Sequence, residues 1–241
     1  MTGVRVAVFR PDDERLTGAL ARLESLGVEP VPDPMLAVEP TGEVPRSDAD
    51  YVVLTSKTGA ELLPDDWSPG DASVCAIGGP TADALEAAGH PVDLVPETFS
   101  SSGLVEALGD DVDGTRVEVA RSDHGSPVLL DGLEAAGAYL HETVLYRLVR
   151  PPDSGASTEL AAAGELDAAL FTSSLTVEHF LDAAAERGVE AEVLAGLEGA
   201  VVGAIGDPTR ETAEARGVRV DVVPEEATFE ALARAAVERL G

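Results

Sequence analysis

Short apolar runs of strand length alternate along the chain with segments whose apolar residues recur at helical spacing. "VRVAVFR" (Val4 to Arg10) alternates as a buried strand does, and "ERLTGALARLESLG" sets Leu16, Leu20, Leu23 and Leu26 on one stripe closed by Gly27. The same grammar predicts strands in "DYVVLTS" (Asp50 to Ser56), "ASVCAIG" (Ala72 to Gly78), "VDLVPE", "TRVEVAR" (Thr115 to Arg121), "HETVLYRLV", "LDAALFTS", "GAVVGAIG" and "VRVDVVPE". It predicts helices in "PTADALEAAG", with Pro80 at its start and Gly89 at its end, and in "SSSGLVEALGD", "SPVLLDGLEAAG", "TVEHFLDAAAERG", "PTRETAEARG" and "TFEALARAAVERL". Strands alternating with helices of this length predict an α/β fold of doubly wound parallel sheets, covered on both faces.

The pattern occurs twice. "AIGGPTADALEAAGHPVDLVPE" (Ala76 to Glu97) returns as "AIGDPTRETAEARGVRVDVVPE" (Ala204 to Glu225), and "YVVLTSKTGAELL" answers "AALFTSSLTVEHFL". "VRVAVFRP...LESLGVEPV" answers "TRVEVARS...LEAAGAYLH", which pairs Arg10 with Arg121 and Gly27 with Gly137. An internal duplication of a whole unit is predicted, giving two similar lobes that face each other across a cleft. The Pro-rich stretches Pro30 to Asp48 and Tyr146 to Ser157 read as two extended linker strands between them.

Composition narrows the setting. The 44% hydrophobic share is carried by Ala, Val and Leu, with aromatics at 4%, so a packed core is expected. The net charge is -29, and Lys57 is the single lysine among sixteen basic residues. Such a surface repels nucleic acid and anionic lipid, so neither is expected as a partner. It is the composition expected of a halophile, because in molar salt the Debye length falls to about 3 Å and acidic surfaces stop repelling one another. No run approaches the roughly 18 apolar residues of a membrane span. "MTGVRVAVFRP" runs straight into a strand, so a cytoplasmic location is expected. Cys75 is the only cysteine, which leaves no disulfide within the chain and predicts a buried strand thiol.

Candidate chemistry gathers where strands end. Each half places Gly-x-Pro-Thr between a strand and a helix, at Gly78 to Thr81 and at Gly206 to Thr209. That junction presents backbone N–H groups and the positive helix end to an anion. Ordinary helix capping, with Asp207 as N-cap, is the other reading of the same residues. Thr55-Ser56 and Thr172-Ser173 sit at matched strand ends, where open parallel sheets bind ligands. Arg10 and Arg121 are the basic residues best placed to meet an anion, unless nearby acids hold them. Tyr146 stands where the chain returns to the linker, with hinge packing as its alternative role. The four histidines lack ligand spacing, so no metal site is expected, and no dinucleotide, Walker or nucleophile-elbow motif occurs.

Taken together, "VFRP", "VVLTS", "AIGGPTADALEAAG", "VDLVPETFSSSGLVEAL", "VEVARS", "ETVLYR", "ALFTSSLTVEHFL" and "AIGDPTRETAEARG...VVPEEATFEAL" resemble the uroporphyrinogen-III synthase family over nearly the whole chain. Order and spacing carry the resemblance, since no single motif is specific. It implies a cofactor-free cyclising lyase that converts hydroxymethylbilane, a linear tetrapyrrole with eight carboxylates, with inversion of the terminal pyrrole and loss of water. It also implies a discontinuous lobe of residues 1–34 and 152–241, a second lobe of 38–148, and linker strands 35–37 and 149–151, acting as a monomer. By family position Ser56, Thr81, Ser173 and Thr209 line the cleft, and Tyr146 matches the tyrosine that helps the hydroxyl depart. Arg210 and Phe9 depart from the small residue and the threonine usual at those places. A hinged binding module, or a tetrapyrrole-sensing regulator without catalysis, is the alternative that the duplication and cleft also allow.

Overall fold

The computed structural model describes residues 3–241, so residues 1 and 2 of the first predicted lobe lie outside the described residues. In chain order the first elements are β1 (Arg5–Val8), α1 (Glu14–Ser25), β2 (Glu29–Pro32), β3 (Ala37–Pro40), β4 (Tyr51–Leu54), α2 (Lys57–Glu61), β5 (Ser73–Ala76) and α3 (Gly79–Ala87). Then follow α4 (Ser101–Leu108), β6 (Arg116–Ser122), α5 (Pro127–Ala135), β7 (Tyr139–Val149) and α6 (Ala156–Ala162). The last are β8 (Ala168–Phe171), α7 (Ser174–Glu186), α8 (Glu190–Glu198), β9 (Val201–Ala204), α9 (Asp207–Ala215) and α10 (Phe229–Leu240). The chain divides into two compact units, one ending at Ala37 and resuming at Val149–Gly241, the other spanning Val38–Leu148.

The discontinuous unit is built on a parallel sheet of order β2-β1-β8-β9. Strand alternation sends Val6, Val8, Ala168 and Leu170 to the face covered by α1 and α10, where Leu23, Leu232 and Ala236 are buried. Ala7, Phe9, Ala169 and Phe171 point the other way, against Phe180, Leu181 and Val193 of α7 and α8. Phe9 is fully buried and stacks on Phe171 with ring centroids 4.6 Å apart, so the residue that departs from the family threonine is part of the core.

The continuous unit carries a five-stranded sheet of order β3-β7-β6-β4-β5. Strands β7, β6, β4 and β5 are parallel. Val52, Leu54, Val74 and Ala76 face Ala60, Ala82 and Leu85 of α2 and α3, while Val53, Cys75 and Val119 face Leu104, Leu108, Leu129 and Leu133 of α4 and α5. Cys75 is fully buried, and that burial, with the charge of Asp93, pushes its thiol up to about 12.

Several expected elements need correction. "VDLVPE" and "VRVDVVPE" are not strands but single bridges, at Cys75↔Leu94 and Gly203↔Val222. Their prolines and the loops that follow stop the ladder after one pair. The stretch read as linker from Pro30 contributes β2 as an edge strand beside β1, and then β3. Helices α2, α6 and α8 escape the apolar pattern, being short and rich in Ala and Glu.

One buried carboxylate fastens the discontinuous unit. Asp33, just past β2, is 3% exposed and accepts the N–H of Gly155 at 2.7 Å, the N–H of Ser157 at 2.8 Å and the Ser157 hydroxyl. Gly155 precedes α6 at φ 99°, a left-handed conformation suited to glycine. Arg187 closes the knot by donating to Ser154 O at 2.8 Å. Asp33→Ala leaves buried donors without partners, so a loss of about 2–4 kcal/mol is expected. A urea titration reads it as a lower midpoint at unchanged slope.

Candidate functional site

Parallel strands end on one edge of their sheet, and in the continuous unit that edge carries most of the chemistry. Leu54 lies level with Ala76 and with Ala120, so the residues after β4, β5 and β6 emerge together. Ser56 is the N-cap of α2, its Oγ accepting the Gly59 N–H at 2.9 Å. The same oxygen accepts the Tyr146 hydroxyl at 2.9 Å. Thr55 beside it is half-buried.

Tyr146 reaches this point because β7 is bulged. The β6–β7 register pairs Arg121 with Val144 and then Ser122 with Tyr146, stepping over Leu145. The extra residue breaks the alternation, so Leu145 and Tyr146 are both buried against the α2 and α3 side of the sheet. Gly59 keeps the space beside this pair open, since a Cβ there would lie 3.1 Å from Ser56 Oγ and 3.3 Å from Leu145 Cδ1, while the Tyr146 ring would be at an ordinary 3.9 Å.

The two Gly-x-Pro-Thr junctions form matching helix starts. Gly78 caps α3 and Gly206 caps α9, both with extended backbone and without a side-chain cap. Asp207 is therefore not the N-cap but the first residue of α9, and its exposed carboxylate pairs with Arg210 at 3.0 Å. Elsewhere Asp13, Ser56, Ser100, Ser126, Ser173 and Thr228 cap their helices through side chains. Helices α6 and α8 also lack a side-chain cap, but α3 and α9 start directly after a strand at the carboxyl edge, an arrangement suited to an anion. Thr81 and Thr209, each 3% exposed, pack in the first turns of these helices. The exposed ring of Phe99 leans on Gly78, where a Cβ would lie 3.2 Å from Cγ. No local signal in the sequence marks Phe99 as part of this edge.

In the discontinuous unit Ser173 caps α7 by accepting the Thr176 N–H at 3.2 Å, and Thr172 beside it is half-buried. Among the described residues no tyrosine meets Ser173; its hydroxyl lies 3.4 Å from that of Thr176. The two arginines differ more sharply. Arg121 is 7% exposed and donates to Glu142 at 2.6 Å and to Ser126 O at 2.6 Å. Arg10 is half-buried over the Phe229 ring at 5.4 Å. Burial, and then the charge of Arg15, lower its guanidinium below the ordinary value, against the opposing pull of Asp13.

Other features stand apart from these edges. A pocket of 370 Å³ lies at the amino ends of β6 and β7, lined by Arg46, Arg116, Tyr139 and His141. Its guanidinium groups are already held by Asp48 and Asp50, and it contains none of the candidate residues. His141 and Thr143 satisfy the buried Glu118 carboxylate at 2.6 and 2.5 Å. No group of three or more acidic, His or Cys side chains forms a metal cluster among the described residues. Nor, among them, is any helix long and apolar enough to cross a membrane.

Parallel sheets with helices on both faces, and hydroxyls and glycine-capped helix starts on their carboxyl edges, define an open α/β protein of two such units. The fold is shared with a mutant uroporphyrinogen III synthase from Thermus thermophilus, over 98% of each chain with a TM-score of 0.67 and 21% identity. It is shared too with uroporphyrinogen-III synthetase from Helicobacter pylori, over 98% and 99% of the two chains with a TM-score of 0.63 and 15% identity. A Methanothermobacter thermautotrophicus protein provisionally named a uroporphyrinogen-III synthase is 32% identical over 98% of both chains. The Synechococcus elongatus uroporphyrinogen-III synthase is 27% identical over 88% of this chain and 86% of its own. The family model described as uroporphyrinogen-III synthase HemD matches residues 18–234. The chain belongs to the uroporphyrinogen-III synthase family, and with it to the cyclising lyases of porphyrin biosynthesis.

The arginine geometries predict different outcomes for the same substitution. Arg121→Met removes the buried guanidinium's bonds to Glu142 and to Ser126 O, while the exposed Glu142 can turn to water, so a loss of about 1–2 kcal/mol is expected, read by thermal and urea melts. Arg10→Met is expected to leave the melting temperature within about 2 °C while raising KM several-fold.

Proposed function

We propose that this chain closes hydroxymethylbilane to uroporphyrinogen III, with inversion of the terminal pyrrole ring and release of water, as a cofactor-independent lyase. The observation that carries the site assignment is the Ser56–Tyr146 hydroxyl pair on the same sheet edge as the bare start of α3. In this reading Tyr146 assists departure of the substrate's hydroxyl, which leaves a cationic methylene-pyrrole. The protein then holds the chain so that the substituted carbon of the last ring attacks, an effect of positioning. The edge residues Thr55, Gly78 and Thr81 of one unit, and Arg10, Thr172, Ser173, Gly206 and Thr209 of the other, receive carboxylates of the substrate, with Ser56 beside its reacting hydroxyl. Arg121, engaged by Glu142, supports the edge from within rather than as a direct contact.

We infer further that the two units descend from one duplicated unit. The sheet orders β2-β1-β8-β9 and β7-β6-β4-β5 support this. So do the matched caps Ser56 with Ser173, Gly78 with Gly206 and Ser100 with Thr228. The boundaries 1–34, 38–148 and 152–241 follow, with residues 35–37 and 149–151 as the linkers; these are not strands of their own, since β3 begins at Ala37 and β7 ends at Val149. The net charge of -29 fits a protein working in the salt-rich cytoplasm of a halophile.

The deciding experiment generates hydroxymethylbilane in place and separates the oxidised products by isomer. Type III uroporphyrin is expected from the wild-type protein. Tyr146→Phe is expected to lower kcat by about 100-fold, and Thr209→Ala by less, because the backbone donors of α9 remain. Only type I, the product of unassisted closure, from folded protein would sink the assignment.

Salt supplies a second check. Repulsion between a surface of net charge -29 and an octacarboxylate weakens as the Debye length shrinks, so turnover is expected to rise toward molar KCl. A rate that falls steadily from about 0.1 M upward, with the circular dichroism unchanged, would contradict the halophilic reading.

A further inference from the structure

We propose that Ser56, rather than Tyr146, is the group that hands the proton to the departing hydroxyl, with Tyr146 supplying it from behind; this rests on the cyclase reading above. Exposure separates the two hydroxyls. Tyr146 is 6% exposed and its hydroxyl hydrogen points at Ser56 Oγ, 2.9 Å away, so the phenol is turned inward. Ser56 is half-buried and lies at the sheet edge itself.

The hydrogen count then sets the direction of transfer. Ser56 Oγ accepts two hydrogen bonds, from Tyr146 and from the Gly59 N–H. A hydroxyl oxygen has two lone pairs and one hydrogen, so both lone pairs are engaged. The Ser56 hydrogen is left over to be donated outward, toward a substrate at the edge. A serine alone is far too weak an acid to protonate a leaving group. Here it need never carry charge, because it accepts the hydrogen of a phenol, a stronger acid than an aliphatic alcohol, while it donates its own.

The C–O bond of the substrate's hydroxymethyl group breaks with its electron pair on oxygen, which takes the Ser56 hydrogen and leaves as water. Ser56 takes the Tyr146 hydrogen in the same movement. The resulting phenolate offsets the positive charge left on the substrate. Ring closure later releases one proton from carbon, which returns through Ser56 to Tyr146.

The other unit provides the contrast. Ser173 caps α7 in the same manner, yet among the described residues no phenol donates to it. Capping alone therefore needs no tyrosine, and the phenol behind Ser56 is the added part. The bulge after Arg121 is what brings it there.

The test uses Ser56→Asn in the full-length protein, assayed by product isomer and initial rate. Asparagine ranks with serine as an N-cap and its Oδ1 still accepts from Gly59 and Tyr146, but it has no hydroxyl proton to pass on. Its kcat is expected to fall by about 100-fold at nearly constant KM, as in Tyr146→Phe. The double variant is expected to be no slower than either single one, because both cut the same path. Ser56→Thr, which restores the hydroxyl, should recover most of the lost kcat. Ser56→Asp, another strong cap without an available proton at neutral pH, serves if the asparagine variant does not fold. Full kcat in Ser56→Asn, or multiplied losses in the double variant, overturns the relay while type III product from wild type leaves the cyclase standing. Type I alone from wild type overturns both.

Discussion

Hydrogen bonding between parallel strands holds Leu54, Ala76 and Ala120 level across one sheet and Phe171 level with Ala204 across the other. Because β4 to β7 run in one direction, and β1, β2, β8 and β9 likewise, each of these strands releases its next residue on the same edge of its sheet. The hydroxyls, the glycine caps and Arg10 therefore gather there without any need for sequence proximity. An antiparallel arrangement would send every second strand end to the opposite edge and scatter them. The buried faces serve this alignment: each four-residue strand is fixed by alternating side chains packed against helices on both sides.

The edges are alike in plan and unlike in finish. Both units start a helix with a serine cap and another with a bare glycine cap. The continuous unit adds a phenol behind its serine and an exposed phenyl beside its glycine. The discontinuous unit instead adds Arg210 beside its glycine-capped start and holds its edge arginine over a phenyl ring rather than against an acid. The two sheet edges thus share one frame and differ in the side chains fitted to it.

The parts of this arrangement legible in the sequence are those with a local cause. The apolar alternation of "VRVAV" and the leucine stripe of α1 mark elements through neighbours only a few residues away. The repeated Gly-x-Pro-Thr likewise marks both helix starts. What escaped has a distant cause. β2 is short and half proline, and it is a strand only because β1 lies beside it. Arg121 reads as an available cation until the register sets Glu142 on the neighbouring strand. The Tyr146–Ser56 bond joins residues 90 apart through a bulge that no local signal announces. Asp207 looks like a cap by type, but the extended backbone at Gly206 moves the helix start one residue earlier.

The pairing of β1 with β8 has a consequence for biosynthesis. The Arg5 N–H donates to the carboxylate of Asp167, 162 residues further on, so β1 leaves the ribosome long before the strand that covers its inner edge. During that interval β2 and α1 can shield one edge and one face, while Ala7 and Phe9 stay open to water. The continuous unit, whose strands lie within Val38–Leu148 apart from the first residue of β3 and the last of β7, can close around its own core in the meantime. Vectorial synthesis thus leaves a waiting strand tethered to a finished neighbour, a state in which a nascent chain is most open to mispairing with another copy of itself.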